Sequence, residues 1–109
     1  MTKNSIPDDV KEQVKAIVEQ FNQKMSRYPD THFFVARFRG THVYLDRHEG
    51  HIVSKNGRLT WTGDMNAWGF AIFKYSSERY DPGEWFFPGS QYLNGTFEGA
   101  LRACLEAYP

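Results

Sequence analysis

The chain has 109 residues, and its thirteen Lys and Arg are balanced by thirteen Asp and Glu, so the formal net charge is zero. A chain of this length makes one domain that buries roughly two-thirds of its unfolded surface, and it has no global field to draw in a nucleic acid or a membrane surface. One cysteine excludes an internal disulfide, no run approaches the roughly 20 apolar residues that span a bilayer, and Met1 to Ser5 carries no apolar signal-like run, so a cytoplasmic domain is expected.

Val10, Val14, Ile17, Val18, Phe21 and Met25 repeat at helical spacing opposite Lys11, Glu12, Lys15 and Glu19, which predicts an amphipathic helix over Pro7 to Arg27. Ser5 and Asp8 make a capping-box-like start, Pro7 falls in the first turn, and Tyr28-Pro29-Asp30 ends the helix. Two strand-like runs follow, Phe33 to Arg39 and Thr41 to Arg47, joined by a turn at Gly40. Alternation puts Phe34, Ala36, Phe38, Val43 and Leu45 on one face. Phe33, Val35, Arg37, Arg39, His42, Tyr44 and Asp46 fall on the other.

Asn56-Gly57 is the strongest hairpin signal in the chain. It predicts a turn that pairs Ser54-Lys55 with Arg58-Leu59 and sets Ile52 across from Trp61. Gly63-Asp64-Met65-Asn66 then turns into a strand from Ala67 to Tyr75, apolar on both faces and therefore expected in the middle of the sheet. After the turn at Asp81-Pro82-Gly83, a last short strand is expected over Glu84 to Phe87, stopped by Pro88. Phe97, Ala100, Leu101, Cys104, Leu105 and Tyr108 predict a closing helix capped by Asn94 or Thr96. The order indicates an α+β fold: a five-stranded antiparallel sheet, within limits of four to six, with both helices packed on one face.

That layering leaves an imbalance. Eight aromatic residues lie between Trp68 and Phe87, and two helices can cover only one sheet face. Phe33, Val35, Tyr44, Phe73, Tyr75 and Phe86 are expected on the other. An apolar patch of that kind marks an interface or a site. The second face is therefore expected to pair with a copy of the chain, making a homodimer, or to line a concave site for a small molecule or a protein. The competing expectation is a strongly curved sheet that wraps its own rings.

The candidate ligand or interface residues are Phe33, Arg37, His42, Tyr44, Phe73 and Tyr75. A cation beside an imidazole and a phenol can hold a carboxylate or phosphate, and His42 titrates near neutral pH. The alternative for Arg37 and Tyr44 is ordinary cross-strand stacking. His48 and His51, within Asp46 to His51, are the only candidate metal ligands, and they match no zinc signature. Cys104 sits among apolar helix positions and reads as a core residue. Phosphate loops, nucleophile elbows and paired catalytic carboxylates are absent from the sequence, so no catalytic residue and no cofactor is assigned. Binding is favoured over catalysis. A modest hydrolase using His42 and Arg37 is the alternative, and single-stranded nucleic acid on the same aromatics is a third reading, which the neutral charge disfavours.

Arg37-Phe38-Arg39-Gly40 with Val43 and Leu45, then Ala71, Phe73-Lys74-Tyr75, then Trp85-Phe86-Phe87, carry one resemblance. The order of these landmarks resembles a small bacterial family of domains of unknown function, which open with a helix and continue into a Trp- and Tyr-rich antiparallel sheet. The Ile52 to Trp61 segment and the long closing helix depart from that pattern. The resemblance implies the fold and no catalytic residue.

Overall fold

The computed structural model describes residues 5–84 and 86–108. Helix α1 spans Asp8–Met25, and five strands follow: β1 His32–Arg39, β2 His42–Glu49, β3 Ile52–Thr60, β4 Gly69–Lys74 and β5 Arg79–Asp81. A 3-10 turn at Ser90–Tyr92 leads into helix α2, Phe97–Ala107. The strands form one antiparallel meander in the order β1-β2-β3-β4-β5, and the fold is α+β as the sequence predicts. Among the described residues no helix is long and apolar enough to cross a membrane.

Both helices lie on one sheet face. Val10, Val14, Val18 and Phe21 of α1 and Phe97, Ala100, Leu101 and Cys104 of α2 share a core with Phe34, Val43, Leu45 and Leu59. Thr96 caps α2, its hydroxyl accepting from the Gly99 amide at 3.1 Å. The capping box expected at Ser5 and Asp8 does not form: Pro7 is the cap of α1, with no side-chain bond. The helix start rests instead on Asp8 and Asp9, whose charges face the positive end of its dipole. At the other end Asn22 bonds both backbone groups of Phe34 on the outer edge of β1, its Nδ2 donating to the carbonyl at 3.0 Å and its Oδ1 accepting the amide at 2.8 Å.

The Asn56-Gly57 turn is not formed. β2 runs on to Glu49, the two-residue turn is Gly50-His51, and β3 continues straight through Asn56 and Gly57. Gly40 and Gly50 supply the positive φ that the β1–β2 and β2–β3 hairpin turns require, at 60° and 66°. Gly57 serves a different need. A Cβ there would lie 2.8 Å from Cε1 of Phe70 and 3.0 Å from Sγ of Cys104, so the position is glycine for space and not for backbone angle. Asn56 is the extra residue of a β-bulge: Leu45 pairs with Gly57 while Asp46 pairs with Lys55. The last strand also moves. It is Arg79–Asp81 and not Glu84 to Phe87; Glu84 and Phe86 lie outside any strand, and Trp85 lies outside the described residues. The polar Ser76-Ser77-Glu78 turn hid this short strand from pattern reading.

The bulge bends the sheet toward the face without helices. Tyr44 and Tyr80 stand three strands apart, roughly 14 Å in a flat sheet at about 4.8 Å per step. Their ring centroids are 5.3 Å apart. The small Ala71 between them leaves room for this, and the curl covers Ala71 and Phe73 almost completely. Tyr75 stays half exposed, and Phe86, expected on the same face, stands out in the loop after β5 at 94% exposure.

Candidate functional site

The strand register determines which side chains meet on the face without helices. Arg37 lies directly across from Tyr44, and Tyr44 across from Arg58 on the next strand. The Arg37 guanidinium sits 5.1 Å over the Tyr44 ring and also grips Asp46 with two nitrogens, Nε at 2.5 Å and Nη2 at 3.3 Å. Asp46 is nearly buried, and this partner raises the pKa of Arg37 further above its ordinary value. Arg58 repeats the motif, 5.6 Å over the ring of Tyr80. Two cation–ring pairs thus share the Tyr44–Tyr80 edge-to-face contact.

The aromatic row continues along β4. Phe73 packs against Tyr80 at 5.0 Å and Tyr75 at 4.8 Å, with Lys55 at 5.4 Å over the Phe73 ring. Tyr75 meets Tyr108 from the end of α2 at 5.6 Å, and the Tyr108 hydroxyl donates to the Phe73 carbonyl. Burial pushes the pKa of the Tyr108 phenol up. One connected row therefore runs from Arg37 to Tyr108.

Of the six candidate residues, the fold brings Arg37, His42, Tyr44, Phe73 and Tyr75 into this row. Phe33 is apart, four residues along β1 and so about 13 Å from Arg37. Its ring stacks on His48 at 5.0 Å with 13° between planes. His48 is thus a strand residue held against a ring, and His51 is exposed in the turn. Among the described residues no group of three His, Cys, Asp or Glu converges on a point where a metal could sit.

Sequence reasoning missed Arg58, Tyr80 and the role of Asp46. Arg58 was unreadable because a turn at Asn56-Gly57 assigns it to a separate hairpin, whereas a bulge aligns it with Tyr44. Tyr80 lacked a predicted strand. A signal for it existed in the pair Tyr80-Asp81 ahead of Pro82-Gly83, a β residue running into a turn.

Three polar groups define what the face can do. The Arg58 Nε–H and the Tyr80 O–H are buried and have no hydrogen-bond partner. Burial, then the nearby Asp46 charge, pushes the Tyr80 phenol above its usual range, so it stays a donor at neutral pH. His42 contacts the Thr60 hydroxyl at 3.1 Å and the Tyr44 ring at 6.1 Å. Its pKa is lowered by burial first and by the Arg58 charge second, so it is neutral at pH 7. The thiol of Cys104 is fully buried in the core and pushed far up by that burial, which removes it as a nucleophile. These groups offer donors, and the chemistry available to such donors is the holding of an acceptor group. Comparison of the chain with protein-family models, with curated proteins and with solved structures finds no match.

Proposed function

We propose that this domain is a binding module whose working surface is the curled sheet face around Arg37, Tyr44, Arg58 and Tyr80, and that it takes a carboxylate-bearing partner. The observation that carries the reading is the pair of unspent donors, Arg58 Nε–H and Tyr80 O–H, both buried in the same row, with the Arg58 guanidinium 5.6 Å over the Tyr80 ring. A buried donor without a partner costs about 1–3 kcal/mol, and an incoming carboxylate oxygen recovers that cost. Charge supports the same partner: Arg37, Arg39, Lys55 and Arg58 lie on this face with Asp46 as their counter-charge. Titration with a short poly-glutamate peptide tests it by calorimetry. Tyr80→Phe and Arg58→Gln are each expected to weaken binding about tenfold, which is 1.4 kcal/mol. Equal affinity for both variants and the parent would refute the reading.

Homodimerisation through the same face is a second reading, favoured by Tyr75 at 49% and Val53 at 56% exposure beside Lys55 and Phe73. Sedimentation velocity separates the two. A dimer lost on Tyr75→Ser with Val53→Ser, and indifferent to the peptide, assigns the face to self-association.

A further inference from the structure

One stretch of strand lacks a neighbour on one side. β4 pairs with β3 only from Gly57 to Thr60, so Ile52 to Lys55 have β2 on one flank and no strand on the other. The two-residue turn at Gly50-His51 makes Glu49 and Ile52 a pair that exchanges hydrogen bonds. The alternation of an antiparallel ladder then directs Ile52 and Ser54 toward β2, and Val53 and Lys55 away from it. The Lys55 carbonyl marks the same direction, because it accepts from the hydroxyl of Tyr75, just past the end of β4, at 2.7 Å. The amide and carbonyl of Val53 therefore face outward, and no loop or turn backbone among the described residues reaches them.

The side chains at this edge are as bare as its main chain. Of the five large apolar side chains left exposed among the described residues, three gather here: Ile52, Val53 and Tyr75. A hollow of about 330 Å³ lies beside Val53 and Ser54, with Phe73, Tyr75 and Glu78 on its far wall. On the curled face Phe33 lies across from His48, and His48 across from Val53, so a row of packed side chains crosses three strands and stops at Val53. Sheet edges are normally covered, charged or very short, and β1 is covered by Asn22. Lys55 gives no such guard here, since its ammonium lies back over the Phe73 ring at 5.4 Å.

Bare main chain selects a strand as the occupant, and the shortness of the stretch selects one that is already ordered. Val53 offers a single donor and a single acceptor. Ordering a loose peptide costs about as much per residue as such bonds return, whereas the same edge on a second copy is held in place by its own β2. Set antiparallel about a two-fold axis at Val53, this edge is its own complement: the Val53 amide and carbonyl of each copy satisfy those of the other. Ile52 then falls across from Ser54 of the second copy, and the row ending at Val53 runs on into its equivalent.

We infer that the edge from Ile52 to Ser54 is a self-recognition site that joins two copies of the chain into one continuous sheet, an inference that rests on the self-association reading and not on the carboxylate site. The pairing closes at two copies, because each edge has one partner. The contact is shorter than a standard interface, so the dimer is weak and dissociates in the micromolar range.

Sedimentation velocity from micromolar to millimolar protein, with amide exchange followed by proton–nitrogen spectra over the same range, tests this. The parent is expected to pass from monomer to dimer, with exchange at the Val53 amide slowing about tenfold and exchange at Ser54, which faces β2, unchanged. Val53→Lys and Val53→Glu alter a side chain that is more than half exposed, so the fold is spared. Each sets like charges against each other at the axis and is expected to weaken the dimer at least tenfold, and an equal mixture of the two is expected to restore it. Tyr80→Phe, which disables the carboxylate site, is expected to leave the dimer as it is. A monomer at every concentration overturns the inference together with the self-association reading. A dimer spared by Val53→Lys but dissolved by Tyr75→Ser overturns the edge alone and leaves face-to-face pairing. A mixture no tighter than either variant overturns the axis at Val53. Protection of the Val53 amide by the poly-glutamate peptide, in a protein that stays monomeric, assigns the edge to a foreign strand and overturns the inference as well.

Discussion

Gly57→Ala is a direct test of how the sheet acquires its curl. Gly57 has no positive φ, so alanine is compatible with the backbone, and an exposed strand glycine replaced this way would gain about 0.4–1 kcal/mol from the unfolded chain. Here the new methyl would stand 2.8 and 2.9 Å from two carbons of the Phe70 ring and 3.0 Å from the Cys104 sulfur. Cys104 is immobile in α2 at 0% exposure, and Phe70 is backed by Phe87 at 6.2 Å, so neither neighbour retreats freely. Overpacking of one methyl costs about 1–3 kcal/mol, which leaves a net loss of about 1–2 kcal/mol after the chain-entropy gain. For a domain near 100 residues that corresponds to a melting temperature lower by roughly 4–8 °C. Calorimetry measures the loss, and the Cys104→Ala background should return at least 0.5 kcal/mol of it, because the two positions touch. A Gly57→Ala protein as stable as the parent, or a double variant with strictly additive losses, would show that Phe70 and α2 do not press on the bulge.

Other expectations concern single side chains. Asn56 is fully buried with neither its Nδ2 nor its Oδ1 paired, so Asn56→Leu, which keeps the branched shape at a somewhat larger volume, should raise the unfolding free energy in urea by about 1–2 kcal/mol; a loss of that size would reveal a partner for the amide or a site too tight for the methyls. Arg47 donates to the Tyr108 carbonyl at 3.0 Å and lies 5.0 Å over the Phe34 ring, so Arg47→Met should cost about 1–3 kcal/mol and speed amide exchange in the last turn of α2. His42 has a folded pKa below its unfolded value near 6.5, so the unfolded chain binds the extra proton and stability falls as pH drops through about 6.5. His42→Gln should flatten that acid limb between roughly pH 7 and 5 and leave stability above pH 7 unchanged; parallel profiles for the two proteins would contradict the burial of His42.

The regular parts of the molecule were legible because their side-chain periods are unambiguous. The Val10–Val14–Val18–Phe21 stripe, the Phe34/Ala36/Phe38 alternation and the Phe97–Leu101–Cys104 stripe each settle on the face their period predicts. What failed was reading chemistry that depends on distant neighbours. Asn56-Gly57 looks like a turn locally, and only the ring of Phe70, thirteen residues on, explains why a strand carries glycine there. The same error hid Arg58, since one extra residue in a strand exchanges its faces. Of the candidate face, Arg37 facing Tyr44 was visible from register alone. The meeting of Tyr44 with Tyr80 was not, because it follows from curvature that no alternation pattern encodes.

Asn22 carries a consequence for how this protein can associate. By occupying both peptide groups of Phe34, its carboxamide takes the place a foreign strand would need in order to dock on the rim of the sheet. Ser26, whose hydroxyl donates to the His32 carbonyl at 2.5 Å, plugs the next station along the same rim. Toward the far end, Lys11 reaches over the Phe38 ring at 5.7 Å and adds a charge that discourages templated growth. Half of that rim is thereby closed to fibre-like extension, and a strand arriving there meets side chains rather than bare main chain.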